Sequence, residues 1–443
     1  MSPDDPRDPA SGDGEPGPDP NPFETMMRQL GGLFGNAFGD LSGDRGTAIP
    51  GLPGAPGIGF GGPFGPMGAG SGGPAGGDPA RQIAMAAASE GNSEPNVEPT
   101  VRMEYEALVR VAELQVADRT GLTVARSGRL EVQPVTRTVW ASKSVDAYRP
   151  YLSKMAHFPT DGLADDPSLS WISDLMASMA PMLAAVTTGT MVGRLAQRSL
   201  GSYDLPIPRP LEGPDADALL VVAPNVDAFS ADWSLPAEDL RLWICLHEVA
   251  HHAVLGVGHF RDAMGDLLAR HAGAFRNEPT DLGGLLGDVG LDPNDLDDPN
   301  AAAEALAGLQ QALDPDAVLE AVRSPEQEAL LPSLESLVAL VVGVVDHVMD
   351  EVGSGLIGSY RQVTEALRRR RVTTSDADRF VEKILGIDLT QAQVDRGAAF
   401  IDGVVEREGD SGLARLWTGP EALPTPAEVD APGLWLARLD LGD

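Results

Sequence analysis

The first 79 residues limit what this chain can fold into, because glycine, proline, aspartate and serine dominate them. Such a stretch cannot bury enough apolar surface to offset the entropy lost on ordering, so we expect residues 1–79 to be a disordered tail. Apolar residues spaced by three and four positions near residues 23–38 predict one short amphipathic helix inside the tail. We expect this segment to dock on the body of the protein, or else to capture a partner.

Residues 80–443 have the composition and apolar periodicity of a globular, mainly α-helical protein. Spacing of three and four predicts helices near residues 99–118, 168–199, 236–255, 300–313, 315–323, 332–352, 359–371, 375–385 and 390–408. Short alternating or apolar runs predict extended segments at 130–132, 135–140 and 218–223. Apolar residues at 416–417 and 434–436 are expected to pack back on the body. The sequence therefore predicts one helical domain after the tail.

The charge of the chain disfavours two classes of partner. With 32 basic and 66 acidic residues the net charge is −34, which repels phosphate backbones and anionic lipid, so we expect neither nucleic acid nor a membrane. The one basic cluster, Arg368 to Arg371, is expected to be a solvated helix end. A single cysteine, Cys245, allows no disulfide within the chain, and the acidic, proline-broken N-terminus lacks the features of a secretory signal. We therefore expect a cytoplasmic protein.

The chemistry of the chain is concentrated in the run His-Glu-Val-Ala-His, residues 247–251, on a predicted helix. His247 and His251 are four residues apart, so both imidazoles project from one helical face and can bind one tetrahedral Zn²⁺. Glu248 is rotated by about 100° from His247, which brings its carboxylate beside the metal. A carboxylate there can act as general base on a zinc-bound water. The run therefore predicts a catalytic zinc site.

A catalytic zinc ion needs a third protein ligand, and the sequence leaves that ligand open. Asp346 is the first choice and His347 the second, because an ionisable pair inside a run of valines is costly to bury without a strong partner. The same pair could instead mark the solvated edge of its helix. Glu335, three turns before Asp346 on the same face, and His259, just past the predicted end of the motif helix, are more distant candidates.

These residues resemble a bacterial zincin-like family of zinc-dependent metalloproteases or hydrolases. The resemblance covers nearly all of residues 80–443 and shows at residues 246–252, 343–350, 416–417 and 423–426. It implies a zincin-like helical metalloprotease fold and a zinc site, and it implies no particular substrate. Relatives often carry a glutamate just before the glycine that matches Gly343, where this chain has Val342. That departure is why Asp346 becomes the first choice for the third ligand.

Two functions from different classes fit these features. The leading interpretation is a zinc-dependent metallohydrolase, a metallopeptidase that cleaves a peptide or protein with a zinc-activated water and Glu248 as general base. The alternative is a catalytically inactive zincin-fold protein that serves as an interaction scaffold and captures its partner through the N-terminal tail. A purely structural zinc ion is disfavoured, because such sites favour cysteine and Cys245 points to another side of the helix.

Overall fold

The structure is a computed structural model that describes residues 78–156, 170–210, 213, 216–275, 324–373, 380–387 and 389–442. The predicted tail, apart from Asp78 and Pro79, and the predicted helices at 300–313 and 315–323 lie outside the described residues. Disorder of the tail and the short helix near residues 23–38 therefore stay predictions.

The described part of the chain is mainly α-helical, as the sequence predicted. Its helices are α1 (Pro79–Ser89), α2 (Pro99–Thr120), α3 (Arg137–Leu152), α4 (Ser170–Arg198), α5 (Ala223–Asp232), α6 (Ala237–Gly256), α7 (Gly258–Gly273), α8 (Pro325–Leu356), α9 (Tyr360–Thr373), α10 (Phe380–Leu385), α11 (Gln391–Glu408), α12 (Asp410–Leu413), α13 (Pro426–Val429) and α14 (Pro432–Gly442). Short 3₁₀ turns lie at Ser153–Ala156, Ala414–Trp417 and Pro420–Ala422.

A small parallel sheet lies among these helices. Strand β1 (Glu131–Val135) pairs with β2 (Ala218–Val222), in a register that sets Glu131 against Ala218 and Val135 against Val222. Gly201, just after α4, adds an antiparallel bridge to Val221. Every residue of β2 is buried, as expected of a short apolar strand covered on both faces. The extended segment predicted at 218–223 is confirmed.

The extended segment predicted at 135–140 is wrong, because α3 begins inside it. Thr136 is the N-cap of α3, and its hydroxyl accepts a hydrogen bond from the amide of Val139 at 3.3 Å. The carboxylate of Glu94 accepts a second bond from the amide of Thr138 at 2.9 Å. These caps satisfy amide groups that a helix start leaves without partners, and they outweigh the strand preference of the valine and threonine residues.

Helices α6 and α8 form the centre of the molecule. Nearly every residue of α6 after Leu240 is buried, including Cys245, the only cysteine of the chain. The two helices run antiparallel, since Asp239 at the start of α6 accepts a bond from the amide of Ser359, just beyond the end of α8, at 2.8 Å. Helix α8 begins earlier than predicted because Ser324 and Gln327 form a capping box at its N-terminus.

Glycines allow α8 and α11 to approach each other closely. A β-carbon on Gly343 of α8 would lie 2.5 Å from the carbonyl carbon of Gly397 on α11, so no larger residue fits without displacing a helix.

By length and composition, α8 is the one described helix that could cross a membrane. However, 67% of its most apolar window is buried in the protein, as in a core helix.

The C-terminal residues pack back on the helical body, as predicted. Leu416 and Trp435 are fully buried, and the indole of Trp435 donates a hydrogen bond to the carbonyl of Ala422 at 2.7 Å. Leu434 is the exception in this segment, since 60% of its surface is exposed.

Candidate active site

The two motif histidines lie together on α6 and are fixed by aromatic rings. The ring centroids of His247 and His251 are 4.3 Å apart, and both residues are buried. Trp243, one turn earlier, stacks on His247 at 4.9 Å between centroids. Tyr203 stacks on His251 at 5.8 Å from the other side. The predicted spacing therefore gives a preformed pair of imidazoles.

Both imidazoles are held in the neutral form that metal binding requires. Burial, followed by the charge of Arg371, lowers the pKa of His247 to about 3. Burial also lowers the pKa of His251 well below its ordinary value. The Nδ1 atom of His251 lies 3.1 Å from the carbonyl oxygen of His247. If Nδ1 donates this bond, Nε2 keeps the lone pair that a metal would use.

The Glu248 carboxylate is buried beside the histidine pair. Its Oε2 accepts hydrogen bonds from the amides of Ser202 at 2.6 Å and Tyr203 at 3.0 Å. Its Oε1 lies 3.6 Å from Nδ1 of His247. Burial raises the pKa of Glu248 to about 8, and the nearby charge of Asp204 acts in the same direction, so the two amides only partly offset the shift.

The segment that holds Glu248 could not be identified from sequence reasoning. It follows α4, and Gly201 within it faces the Glu248 carboxylate, which a β-carbon at that position would overlap. A hydroxyl–imidazole–carboxylate chain continues from it: the Tyr203 hydroxyl is 3.0 Å from Nδ1 of His252, and Nε2 of His252 is 3.7 Å from Asp217. In the sequence, the end of the helix predicted at 168–199 was the only signal near residues 201–203.

The structure does not bring Asp346 to the histidines. Asp346 lines a neighbouring cavity of about 380 Å³, which shares the side chains of Trp243, Leu367 and Arg371 with the cavity beside His247. Burial raises the pKa of Asp346, although the charge of Arg371 opposes that shift. Across the residues that the structure describes, no three histidine, cysteine, aspartate or glutamate side chains converge to hold a metal ion.

The other candidate third ligands also lie outside the histidine pair. His347 lies 3.6 Å from Asp410 and 3.2 Å from a guanidinium nitrogen of Arg119. His259 is the second residue of α7 rather than part of a loop, and its Nε2 lies 2.9 Å from the carbonyl oxygen of Leu416. Glu335 is half-buried, and it joins no such group of ligands.

Val342 of α8 stands where the family resemblance implies a glutamate, just before Gly343. Trp243 and Asp346 border the same cavity, and His247 is one turn after Trp243. One turn before Asp346 on α8 is Val342, a buried aliphatic residue that offers no donor atom. The residues present therefore fit two of the three positions of a catalytic zinc site, through the neutral imidazoles of His247 and His251.

The chain is similar in sequence and fold to known proteins. The family model described as zincin-like metallopeptidase matches residues 78–436. A solved structure, that of a candidate hydrolase with a novel fold from Chloroflexus aurantiacus, is 24% identical and has a TM-score of 0.51. The match covers 82% of this chain and 97% of that chain, and it shows a shared fold. None of the curated proteins matches the chain. Since the family model matches most of the sequence, the protein belongs to the zincin-like metallopeptidase family.

Proposed function

We propose that the protein is a zinc-dependent metallohydrolase that cleaves amide bonds of a peptide or protein in the cytoplasm. The observation that carries this proposal is the buried carboxyl group of Glu248 beside the paired imidazoles of His247 and His251, with Glu248 and His247 both lining one cavity. Membership of the zincin-like metallopeptidase family supports the reaction class. No feature of the described residues selects a particular peptide sequence.

In this proposal His247 and His251 hold the zinc ion. Bound zinc would lower the pKa of a water molecule and polarise the carbonyl of the substrate. Glu248 accepts a proton from the water as the water oxygen bonds to the acyl carbon. It then passes that proton to the nitrogen as the carbon–nitrogen bond breaks, which leaves an amine and a carboxylic acid, and the acid releases its remaining proton to solvent. The amides of Ser202 and Tyr203 hold the Glu248 carboxylate in place for both transfers.

Glu248→Gln tests the proposed base. We expect peptide turnover to fall by at least about 100-fold, because glutamine cannot accept the proton, while the zinc content stays that of the unchanged protein. The measurements are hydrolysis of a fluorogenic peptide library and elemental mass spectrometry of the dialysed protein. Glu406→Gln, an exposed carboxylate on α11, is the matched control. Turnover that survived Glu248→Gln would remove Glu248 from the mechanism.

One observation favours a second candidate, a catalytically inactive zincin-fold scaffold. Among the described residues no third candidate ligand joins His247 and His251, and Val342 stands where the family resemblance implies a glutamate. A scaffold would hold no zinc after dialysis and would capture its partner through residues 1–79. Partner capture by the full chain and by a chain lacking residues 1–79 distinguishes the two functions. Equal capture by both chains, together with bound zinc and turnover, would exclude the scaffold.

A further inference from the structure

A cavity of about 150 Å³ borders the proposed base, and three arginines and three carboxyl groups line it. His247 and Glu248 form one part of its wall, and charged side chains from α4, α9 and the segments near them form much of the rest: Arg198, Asp204, Arg370, Arg371 and Glu382. The volume is below the range of roughly 300–1,000 Å³ typical of sites for drug-sized ligands, so it suits one end group of a substrate.

Two of these arginines come from the basic run at the end of α9. The sequence predicted a solvated helix end, and this holds for Arg368 and Arg369, whose side chains are 59% and 64% exposed and pair with Glu365. Arg370 and Arg371 instead line the cavity beside His247. Consecutive helical residues are rotated by about 100°, so one turn of α9 can present two arginines outward and two inward.

Contacts around the cavity hold part of this arginine cluster in place. Arg198 donates to Glu382 at 2.7 Å, and Arg370 donates to the carbonyl oxygen of Arg198. Arg370 also lies 3.9 Å from Asp204. Burying guanidinium groups carries a desolvation cost. A guanidinium cluster that is held in place and still lines a cavity is suited to bind a ligand of the opposite charge.

Arg371 connects the cluster to the proposed reaction centre. It lines both the cavity beside His247 and the neighbouring cavity that contains Asp346. The first of these cavities is also lined by His247 and Glu248. An anionic group held by Arg371 would therefore lie within reach of the bond that Glu248 helps to cleave.

We propose that this cavity binds an anionic oxygen group of the substrate, a carboxylate or a phosphate, through Arg370 and Arg371. The planar guanidinium offers paired donors whose geometry matches carboxylate and phosphate oxygens. The substrate is then a peptide, or a similar amide, with a negatively charged end close to the cleaved bond. This inference rests on the proposed function for the identity of the reaction, although the binding site itself can be tested without turnover.

The net charge of the chain affects how an anionic substrate could reach the cavity. A surface with a net charge of −34 repels anions, so an anionic substrate needs a local positive field to enter. Apolar residues in the cavity wall, including Leu195, Leu200 and Leu205, lower the local dielectric and strengthen that field.

Binding to the full-length Glu248→Gln protein, which cannot turn over its ligand in this mechanism, tests the cavity directly. The probes are N-acetyl-trialanine with a free carboxylate, the same peptide with a C-terminal amide, and inorganic phosphate. We expect the free acid, phosphate, or both to bind at least about 10-fold more tightly than the amide by isothermal titration calorimetry, as a charge-assisted hydrogen bond implies. Preference for the acid assigns the group to a peptide terminus, and preference for phosphate assigns it to a phosphoryl group.

Substitutions within one arginine run supply the controls. Arg371→Met should abolish the preference, Arg371→Lys should retain part of it, and Arg369→Met, at an exposed position, should leave it unchanged, with circular dichroism confirming the fold of each. Equal affinity for all three probes, or a preference that survives Arg371→Met, overturns the anion site. Peptide hydrolysis by the unchanged protein is scored separately, so a preference without hydrolysis refutes only the proposed function. Hydrolysis without a preference refutes only the anion site.

Discussion

The Glu248 carboxylate fits in its position because the residue that faces it is Gly201, which has no side chain. The spacing of His247, Glu248 and His251 was readable from the sequence, since all three belong to one helix with a fixed periodicity. The contact with Ser202 was not readable, because it joins residues 46 positions apart and depends on how the end of α4 packs. Asp346 was chosen for its buried surroundings, and burial alone does not say which cavity a side chain faces.

At this scale we expect Gly201→Ala to impair catalysis more than folding. The new β-carbon would overlap the Glu248 carboxylate and displace it from the amides of Ser202 and Tyr203. Turnover should fall by about 10-fold or more, as for a misplaced catalytic group. Gly355→Ala, in open space on α8, is the control for adding a methyl group. A fully active Gly201→Ala enzyme would contradict the role of this glycine.

A second residue-scale prediction concerns Val342. Val342→Glu supplies the glutamate that the family resemblance implies just before Gly343, so zinc should bind about 10-fold or more tightly, measured against a competing chelator. Without zinc the buried charge should lower the melting temperature, and zinc should restore it. Val342→Gln has a shape similar to that of glutamate without the charge, so its zinc affinity should not rise, and zinc should raise its melting temperature no more than that of the unchanged protein. Equal zinc affinity in all three proteins would place the third ligand elsewhere.

Among the elements, the accuracy of a predicted helix boundary depended on which residues cap the helix. Helices α6 and α11 were predicted within a residue or two because their apolar spacing is regular and their neighbours interrupt it. The start of α3 was missed, because Glu94 supplies part of its cap from 44 residues away. The early start of α8 depends on Ser324 and Gln327, which lie before its apolar stripe. When the capping residue is distant in sequence, no local pattern of residues indicates where the helix begins.

The cap on α3 gives a pH-dependent prediction. Burial opposes ionisation of Glu94, but bonds from Thr138 and Arg137 outweigh it and hold its pKa below the ordinary value of 4.5. A carboxyl group with a depressed pKa contributes stability above its unfolded value and loses that contribution as pH falls through the folded value. Glu94→Gln should therefore lower the free energy of unfolding by about 1–2 kcal/mol at pH 7.

Urea denaturation at neutral and acidic pH measures this difference. As the pH falls below 4.5, the ordinary pKa of Glu94, the gap between the two proteins should shrink. Glu406→Gln should show no comparable gap at either pH, since its side chain is exposed. A gap that persisted undiminished in acid would indicate a packing effect instead of a charged cap.

On the scale of the whole molecule, composition predicted a mainly helical protein, and the described residues form one. The net charge indicated that the protein as a whole repels anions, and a net charge cannot show that Arg370 and Arg371 line a cavity. The inward turn of Arg370 and Arg371 requires α9 to pack beside α6, and such a long-range arrangement is invisible to a count of charges. The fold class therefore follows from averages over many residues, while the cavity depends on a few contacts between distant helices.

The burial of Cys245 gives the protein an internal reporter of unfolding. Burial raises the pKa of this thiol, so both the shielding and the scarcity of thiolate protect it from alkylating reagents. Because α6 also carries the histidine pair, iodoacetamide should modify Cys245 only when the centre of the molecule opens. Zinc that stabilises the native state should slow that modification, which mass spectrometry can follow over time. Rapid alkylation under native conditions would mean that α6 opens far more often than its packing implies.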